Sequence, residues 1–317
     1  MTGEYRHIPV MLKESRQALA LQPGETYCDC TLGGAGHALA MAEDIAPGGL
    51  LLGIDQDDHS IEEASLRVSQ TQLQIHYEIL KGNFRDLDEL LLKALVPGID
   101  GILFDLGVSS PQIDQPSRGF SYAQDAPLDM RMDPGKQTQT AAEIINTFNA
   151  KDLARILHTY GEEKFAMRIA GKIVEARALE PIQTTTQLAN IVKDAIPASQ
   201  RRTGGNPCKR SFQALRIAVN GELDALECGL DAAIRWLNPG GRIAVISYHS
   251  LEDRIVKHAF AEAAKGCTCP PEQPICTCNH KPILTHISRK ALEATSEEGV
   301  ANPRSKSAKL RFAVKAG

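Results

Sequence analysis

The run Leu32-Gly33-Gly34-Ala35-Gly36-His37 follows an apolar stretch, Tyr27 to Thr31, and leads into residues with helical spacing, Ala38 to Ile45. Glycines between a strand and a helix let the backbone approach a ligand held at the helix N-terminus. Asp55 stands 19 residues after Gly36, at the end of a second apolar run, where a carboxylate can bond both hydroxyls of a ribose. Together these imply a cofactor containing a nucleoside; the alternative is a tight turn beside a solvated acid. If Gly34 and Gly36 open a G-x-G-x-x-G fingerprint, Leu39 falls where Gly or Ala should permit close helix packing. That weakens an NAD-dependent oxidoreductase.

A second group of residues closes the fourth apolar run. Asp105 ends it and is followed by Leu106-Gly107-Val108-Ser109-Ser110-Pro111-Gln112, at the edge of the sheet where open α/β folds bind their ligands. A carboxylate that only satisfies turn donors is the alternative. Arg201, Arg202, Lys209 and Arg210 crowd ten residues with Gly204 and Gly205, which suits an arm that contacts phosphates, or else a solvated charged loop. Cys267-x-Cys269 and Cys276-x-Cys278, with His280 nearby, have the makings of a tetrathiolate zinc site. Their one-residue spacings are shorter than the usual two to four, so a metal is the lesser expectation.

The elements that must position these residues alternate between strand and helix. Leu50 to Asp55 reads as a buried strand, His59 to Val68 as a helix, Leu73 to Leu80 as an alternating strand and Asp100 to Leu106 as a fourth strand, the signature of βαβ units in a parallel sheet. Gly107 to Gln139 has no clear period and reads as a long irregular connection. Helices are expected over Lys151 to Tyr160 with Asn149 as cap, Glu162 to Leu179, Thr186 to Ile196, and Phe212 to Leu237. Arg242 to Ser247 and Lys309 to Lys315 return to strand character. The expected organisation is a discontinuous α/β domain, residues 1–110 and 214–317, interrupted by a mostly helical insert, 111–213. No internal repeat is visible.

Composition fits that picture. The 317 residues are 43% hydrophobic and 23% charged, with 25 Gly, 17 Pro and a mean hydropathy of −0.21, which excludes collagen, coiled coil and wholesale disorder. No apolar run approaches the ~18 residues of a membrane span, and Met1 to Leu12 lacks a signal-peptide pattern. A cytoplasmic location without membrane partners is therefore expected. Eight cysteines in such a chain favour free thiols or metal ligands over disulfides. The formal charge is −4, yet Ile113 to Arg216 holds 15 Lys and Arg against 11 Asp and Glu, so the middle of the chain is relatively basic.

Asp29, inside the first strand and just before the glycine turn, is placed similarly to the acid of S-adenosylmethionine-dependent methyltransferases. Asn238-Pro239-Gly240-Gly241 resembles that superfamily's entry to its fifth strand. Longer motifs are more specific: Asp105 to Gln112, Arg118-Gly119-Phe120-Ser121, Pro127-Leu128-Asp129-Met130-Arg131-Met132-Asp133, Phe212-Gln213-Ala214-Leu215-Arg216-Ile217 and His249-Ser250-Leu251-Glu252-Asp253-Arg254. In this order, from His7 to about Arg311, the chain closely resembles the 16S ribosomal RNA cytosine-N4-methyltransferase family (RsmH, formerly MraW).

The resemblance implies a class I S-adenosylmethionine-dependent methyltransferase fold, Rossmann-like with a mostly parallel seven-stranded sheet and an inserted helical domain for RNA recognition. It implies S-adenosylmethionine as methyl donor and a decoding-centre cytidine of 16S ribosomal RNA as target, within the assembled small subunit. Ala35, Gly36 and His37 would form the cofactor loop, Asp55 would bind ribose, Phe84 and Asp105 would flank the adenine, and Gln112 would close the site. Catalysis should need no metal, and a homodimer is left open.

A cytosine amino nitrogen is a poor nucleophile, so positioning is expected to supply most of the rate. Backbone carbonyls around Ser109, Ser110 and Pro111 are the expected acceptors for the amino hydrogens, with a structural turn as the alternative. Tyr248 and His249 could stack on or bond the base, or fill core and capping roles instead. Arg118 and Arg131 are substrate-side candidates that could equally steady the loop. Carbon-5 methylation would need a nucleophilic cysteine, but Cys28 and Cys30 share one face of the first strand and read as structural. The rivals are an amino methyltransferase of DNA or protein, and an idle RNA-binding assembly factor.

Overall fold

A computed structural model describes residues 9–201, 206–267, 269–270, 273, 275, 277–278 and 280–317, apart from the side chains of Ser110, Pro111 and Arg201. In chain order the elements begin with α1 (Leu12–Leu19), β1 (Thr26–Asp29), α2 (Gly36–Ile45), β2 (Leu50–Asp55), α3 (Asp58–Ser69), β3 (His76–Lys81), α4 (Leu87–Lys93) and β4 (Ile99–Asp105). Then come seven helices: α5 (Ser110–Asp114), α6 (Ala141–Thr147), α7 (Ala150–Gly161), α8 (Ala166–Arg177), α9 (Thr185–Ala195), α10 (Ala198–Arg201) and α11 (Lys209–Asn220). The chain closes with α12 (Glu222–Trp236), β5 (Leu237–Ser247), α13 (Ser250–Ala263), β6 (Leu284–Thr285), β7 (Leu292–Glu293), α14 (Ser296–Ala301) and β8 (Lys309–Lys315). These form two compact units, one of Met1–Gly107 with Leu223–Gly317, the other Val108–Glu222.

The first unit is built on a sheet ordered β3-β2-β1-β4-β5-β8-β6. Its β1–β2, β2–β3, β1–β4 and β4–β5 pairings are parallel, and β8 runs antiparallel to β5. This is the expected class I methyltransferase fold. The sheet has eight strands rather than the expected seven, because β5 occupies one edge of β8 while two-residue β6 and β7 share the other. Alternation divides the strand residues between two faces. Cys28, Leu52, Ile54, Ile102 and Phe104 pack with Leu226 and Leu230 of α12, whereas Tyr27, Leu51 and Leu103 pack with Met41 and Ile45 of α2. A sheet apolar on both sides must be covered on both sides, which explains the near-continuous apolar runs. Strand order reverses between β1 and β4, and such a reversal opens a crevice at the carboxyl ends of the strands.

The second unit has its own core, in which Ile144, Leu153, Leu157, Ile169, Ile173, Leu188 and Leu215 are almost fully buried. Three expectations are corrected here. The single helix expected over Phe212 to Leu237 is two, because Gly221 adopts φ 58° and ends α11 as a left-handed cap. The helix expected from Glu162 starts at Ala166, since Glu162 is itself the left-handed cap of α7. Thr140 and Glu143 form a reciprocal capping box that starts α6 directly after the segment read as irregular. Asn149 caps α7 as expected, bonding Asp152 N.

Candidate cofactor site and nucleic-acid interface

Three carboxylates mark the carboxyl ends of adjacent parallel strands: Asp55 on β2, Asp29 on β1 and Asp105 on β4. Strands lie ~4.8 Å apart, so these groups feel one another. Asp29 is buried, and that burial, opposed by His37 and reinforced by Asp105 and Asp55, raises its pKa to about 6. Burial likewise raises Asp55 to about 6, against the pull of backbone donors at Asp57 and Gly33. Asp55 Oδ2 accepts from Gly33 N at 2.8 Å and Oδ1 from Asp57 N at 2.9 Å. Thr31 bridges the next pair: its N–H donates to Asp29 Oδ1 at 3.1 Å, and its hydroxyl accepts from Asp105 N at 2.6 Å.

The glycine turn runs alongside. Gly33 has φ 48° and Ala35 φ 60°, two left-handed residues that turn the chain into α2. Ala35 is the N-cap and offers no side-chain bond to the helix, so the first N–H groups of α2 are not capped from within. Gly36 leaves room for Pro9, whose Cγ would lie 2.8 Å from an added Cβ. His37 is buried. Its Nε2 lies 3.6 Å from Asp105 Oδ2; burial opposes its charge, but Asp105 and Asp29 outweigh that and raise its pKa. The Tyr248 hydroxyl donates to Asp105 Oδ1 at 2.7 Å. Phe84, half-buried, stacks edge-on against Phe104 at 5.5 Å.

Asp29, Gly33, Ala35, Gly36, His37, Asp55, Asp105 and Tyr248 thus line the carboxyl ends of β1, β2, β4 and β5. This donor set fits a cationic, hydroxyl- and amine-rich ligand such as S-adenosylmethionine: three carboxylates accept hydrogen bonds, an uncapped helix start donates to a carboxylate, and a buried histidine faces Asp105. A pyrophosphate would meet three like charges there. Cys28 and Cys30 lie buried with their sulfurs 3.8 Å apart, and burial raises the Cys30 thiol well above its usual value, the opposite of an activated nucleophile.

Several substrate-side candidates have partners within the chain. Arg118 donates to the carbonyls of Arg131 and Met132 at 3.1 and 3.0 Å. Arg131 forms a two-pronged pair with Asp129 at 2.8 and 2.7 Å and donates to Gln137 O at 2.9 Å. Both guanidiniums therefore brace the loop between α5 and α6. His249 caps α13, its Nδ1 accepting from Glu252 N while Glu252 Oε2 accepts from Tyr248 N and His249 N. Tyr248 reaches Asp105 instead of presenting its hydroxyl to a base. Ser109 O accepts from Ile113 N at 3.3 Å as α5 begins, so one carbonyl expected to hold the substrate is already engaged. Gln112 is buried in the second unit, its Oε1 accepting from Ser109 N at 3.0 Å. Ser109 Oγ is buried without a hydrogen bond, an acceptor the sequence did not flag. Lys209 and Arg210 are exposed; Arg202 lies outside the described residues, as does the side chain of Arg201.

The sequence reading also passed over a basic groove. Lys151, Arg155 and His158 of α7 and Lys164 and Arg168 at the start of α8 line a cavity of about 500 Å³ with Phe165 and Met167. The spacings i, i+4 and i+7 put the three α7 residues on one helical face. Met167 is 65% exposed. Cations interleaved with apolar side chains suit a polyanion that also carries flat bases. No helix among the described residues is long and apolar enough to cross a membrane.

Sequence comparison accounts for nearly the whole chain. The family model described as the MraW methylase family matches residues 4–316. Ribosomal RNA small subunit methyltransferase H of Paenibacillus sp. (strain JDR-2) is 52% identical, covering 98% of this chain and 99% of that protein. The proteins of the same name from Symbiobacterium thermophilum and Brevibacillus brevis are 50% and 49% identical, covering 98% and 99% of this chain and 97% and 99% of theirs. The conjunction of strand-end carboxylates, glycine turn and full-length similarity has one reading: this chain belongs to the MraW methylase family.

Proposed function

We propose that the chain transfers a methyl group from S-adenosylmethionine to the N4 amino group of a decoding-centre cytidine in 16S ribosomal RNA of the small subunit. The observation that carries the cofactor half is the ring of Asp29, Asp55 and Asp105 about the Gly33–Gly36 turn. The polymer half rests on the names of the relatives and on the basic groove of the second unit.

Asp55 binds the ribose hydroxyls, which donate to oxygens that Gly33 and Asp57 hold in place. The start of α2, entered through Ala35, Gly36 and His37, takes the cofactor's carboxylate, and Asp29 faces its amino group. Phe84 and Asp105 flank the adenine, with Tyr248 and His37 fixing the Asp105 carboxylate; Gln112 closes the site. S-adenosylmethionine supplies an electrophilic methyl on a sulfonium. The chain's task on the other side is orientation, because the N4 lone pair is delocalised into the ring and must be turned toward that methyl. Ser109 Oγ and the backbone of Ser110 and Pro111 accept the amino hydrogens and localise the lone pair. Lys151, Arg155, Lys164, Arg168, Lys209 and Arg210 hold phosphates, joined by Arg201 and Arg202. The base must leave its helix or loop to reach such a pocket.

The test is nucleoside mass spectrometry of 16S RNA after purified protein and S-adenosylmethionine are incubated with small subunits lacking the modification. N4-methylcytidine at one decoding-centre position is expected. A methyl group on another base, or none while the cofactor still binds, overturns the substrate assignment and leaves the fold intact.

A further inference from the structure

The loop between α13 and β6 holds chemistry that methyl transfer does not use. Its two ends meet, Ile283 N donating to Ala263 O at 2.7 Å, and among the described residues between them Ile275 is 75% exposed. Within it the sulfurs of Cys267, Cys269 and Cys278 all lie within 4.8 Å of one another. No disulfide joins them.

Two features distinguish this cluster from thiols that are neighbours by chance. The Cys267 and Cys278 sulfurs are 3.8 Å apart, far beyond a covalent S–S bond of ~2 Å. That distance equals the edge of a tetrahedron with metal–sulfur bonds of ~2.3 Å, which is ~3.8 Å. Backbone N–H groups also point at the sulfurs: Cys269 N donates to Cys267 Sγ at 3.4 Å and His280 N to Cys278 Sγ at 3.5 Å. In each case the donor lies two residues after the sulfur, so the backbone itself holds both sulfurs in place. Cys276 lies outside the described residues, and the site is built without it.

We propose that Cys267, Cys269 and Cys278 bind a structural zinc ion. A cluster of thiolate sulfurs selects zinc among the common divalent ions. Each thiol that binds gives its proton to solvent, and the binding energy fastens the loop.

The full-length protein, purified under reducing conditions and dialysed, should carry about one zinc per chain by elemental mass spectrometry. Cobalt added to metal-free protein should give thiolate-to-cobalt charge-transfer absorption. The C267S/C278S variant should lose both signals and become cleavable by protease between α13 and β6, while still binding S-adenosylmethionine. Failure of the wild-type protein to retain added zinc, zinc retained by the double variant, or a Cys267–Cys278 disulfide in the protein as purified would each overturn the assignment. Should the double variant misfold, the cobalt spectrum of the wild-type protein decides alone, since sulfur ligation is present or absent in it. This test is independent of the methyl-transfer proposal, because its readout is metal and not activity.

Discussion

Tyr248 donates its hydroxyl to Asp105 Oδ1 across 2.7 Å, so a residue at the end of β5 fixes the carboxylate at the end of β4. Burial and the Asp105 charge push the Tyr248 phenol well above its usual pKa, which keeps it a donor at any working pH. Tyr248→Phe removes the donor and leaves the ring in place. One hydrogen bond to a charged acceptor is worth ~1.5 kcal/mol or more, so S-adenosylmethionine affinity should fall about tenfold. Titration calorimetry reads this directly. An unchanged affinity would sever Tyr248 from the cofactor site and return it to the substrate side.

The carboxylate ring makes stability and binding depend on pH in opposite senses. Asp29 and Asp55 each have a folded pKa of about 6 against 3.8 for the free group, so the folded state keeps its protons longer than the unfolded chain. The stability this confers is fully present below 3.8 and is lost as pH rises to about 6. The loss for buried Asp29 is of order 3 kcal/mol. Asp29→Asn should therefore stabilise the cofactor-free protein at neutral pH by ~1–3 kcal/mol, with no gain near pH ~4, as followed by urea unfolding. Equal gains at both pH values would mean that the carboxyl is not held up by burial.

The same protons compete with the cofactor. Ribose hydroxyls need Asp55 as an ionised acceptor, so S-adenosylmethionine affinity should hold above about pH 6 and decline below it. Binding there should also release fewer protons in Asp55→Asn than in the wild type, because the carboxyl that gives up its proton is gone. Calorimetry in buffers of different ionisation enthalpy measures the difference.

What the sequence disclosed and what it withheld follow from range. The glycine turn, Asp55 and Asp105 were legible because each is a local statement: an apolar run, its last residue and the turn after it. The break at Gly221 was not, since the apolar spacing of α11 continues in phase into α12 and only the left-handed φ shows the stop. For His249 the sequence left base contact and capping side by side; Glu252, three residues on, was the available signal for the cap. Arg118 and Arg131 read in one dimension as either substrate-side residues or braces of the loop, because their partners, backbone carbonyls and an Asp, come together only in the folded loop. The eighth strand was hidden because a two-residue strand has no period at all.

That loop gives a sharp stability test. Gly119 has φ 72°, and a Cβ there would lie 2.3 Å from Pro127 O and 2.7 Å from Asp129 N. Both are backbone atoms that no rotamer change can move. Gly119→Ala should cost ~2–4 kcal/mol, from the left-handed backbone and the clash together, and should loosen Asp129 and its pair with Arg131. Thermal unfolding should show the loss. A change within ~0.5 kcal/mol, the usual range of a surface substitution, would mean that the loop relaxes freely.

The basic groove of the second unit carries the last prediction. Arg155 is partly offset by Asp152 at 3.0 Å, and Glu163 is buried with its carboxylate accepting from Phe165 N, which leaves Lys151, Lys164 and Arg168 as the cations best placed to meet phosphates. Removing two of them, in Lys151→Ala with Arg168→Ala, should weaken binding to single-stranded ribosomal RNA fragments and reduce the slope of log affinity against log salt by roughly 1.5. S-adenosylmethionine affinity should not change, because no carboxylate of its site is touched. Fluorescence anisotropy across a salt series separates the outcomes. A shallower slope at equal cofactor affinity places phosphates in the groove, whereas an unchanged slope moves RNA binding to Lys209, Arg210 and the arginines before them.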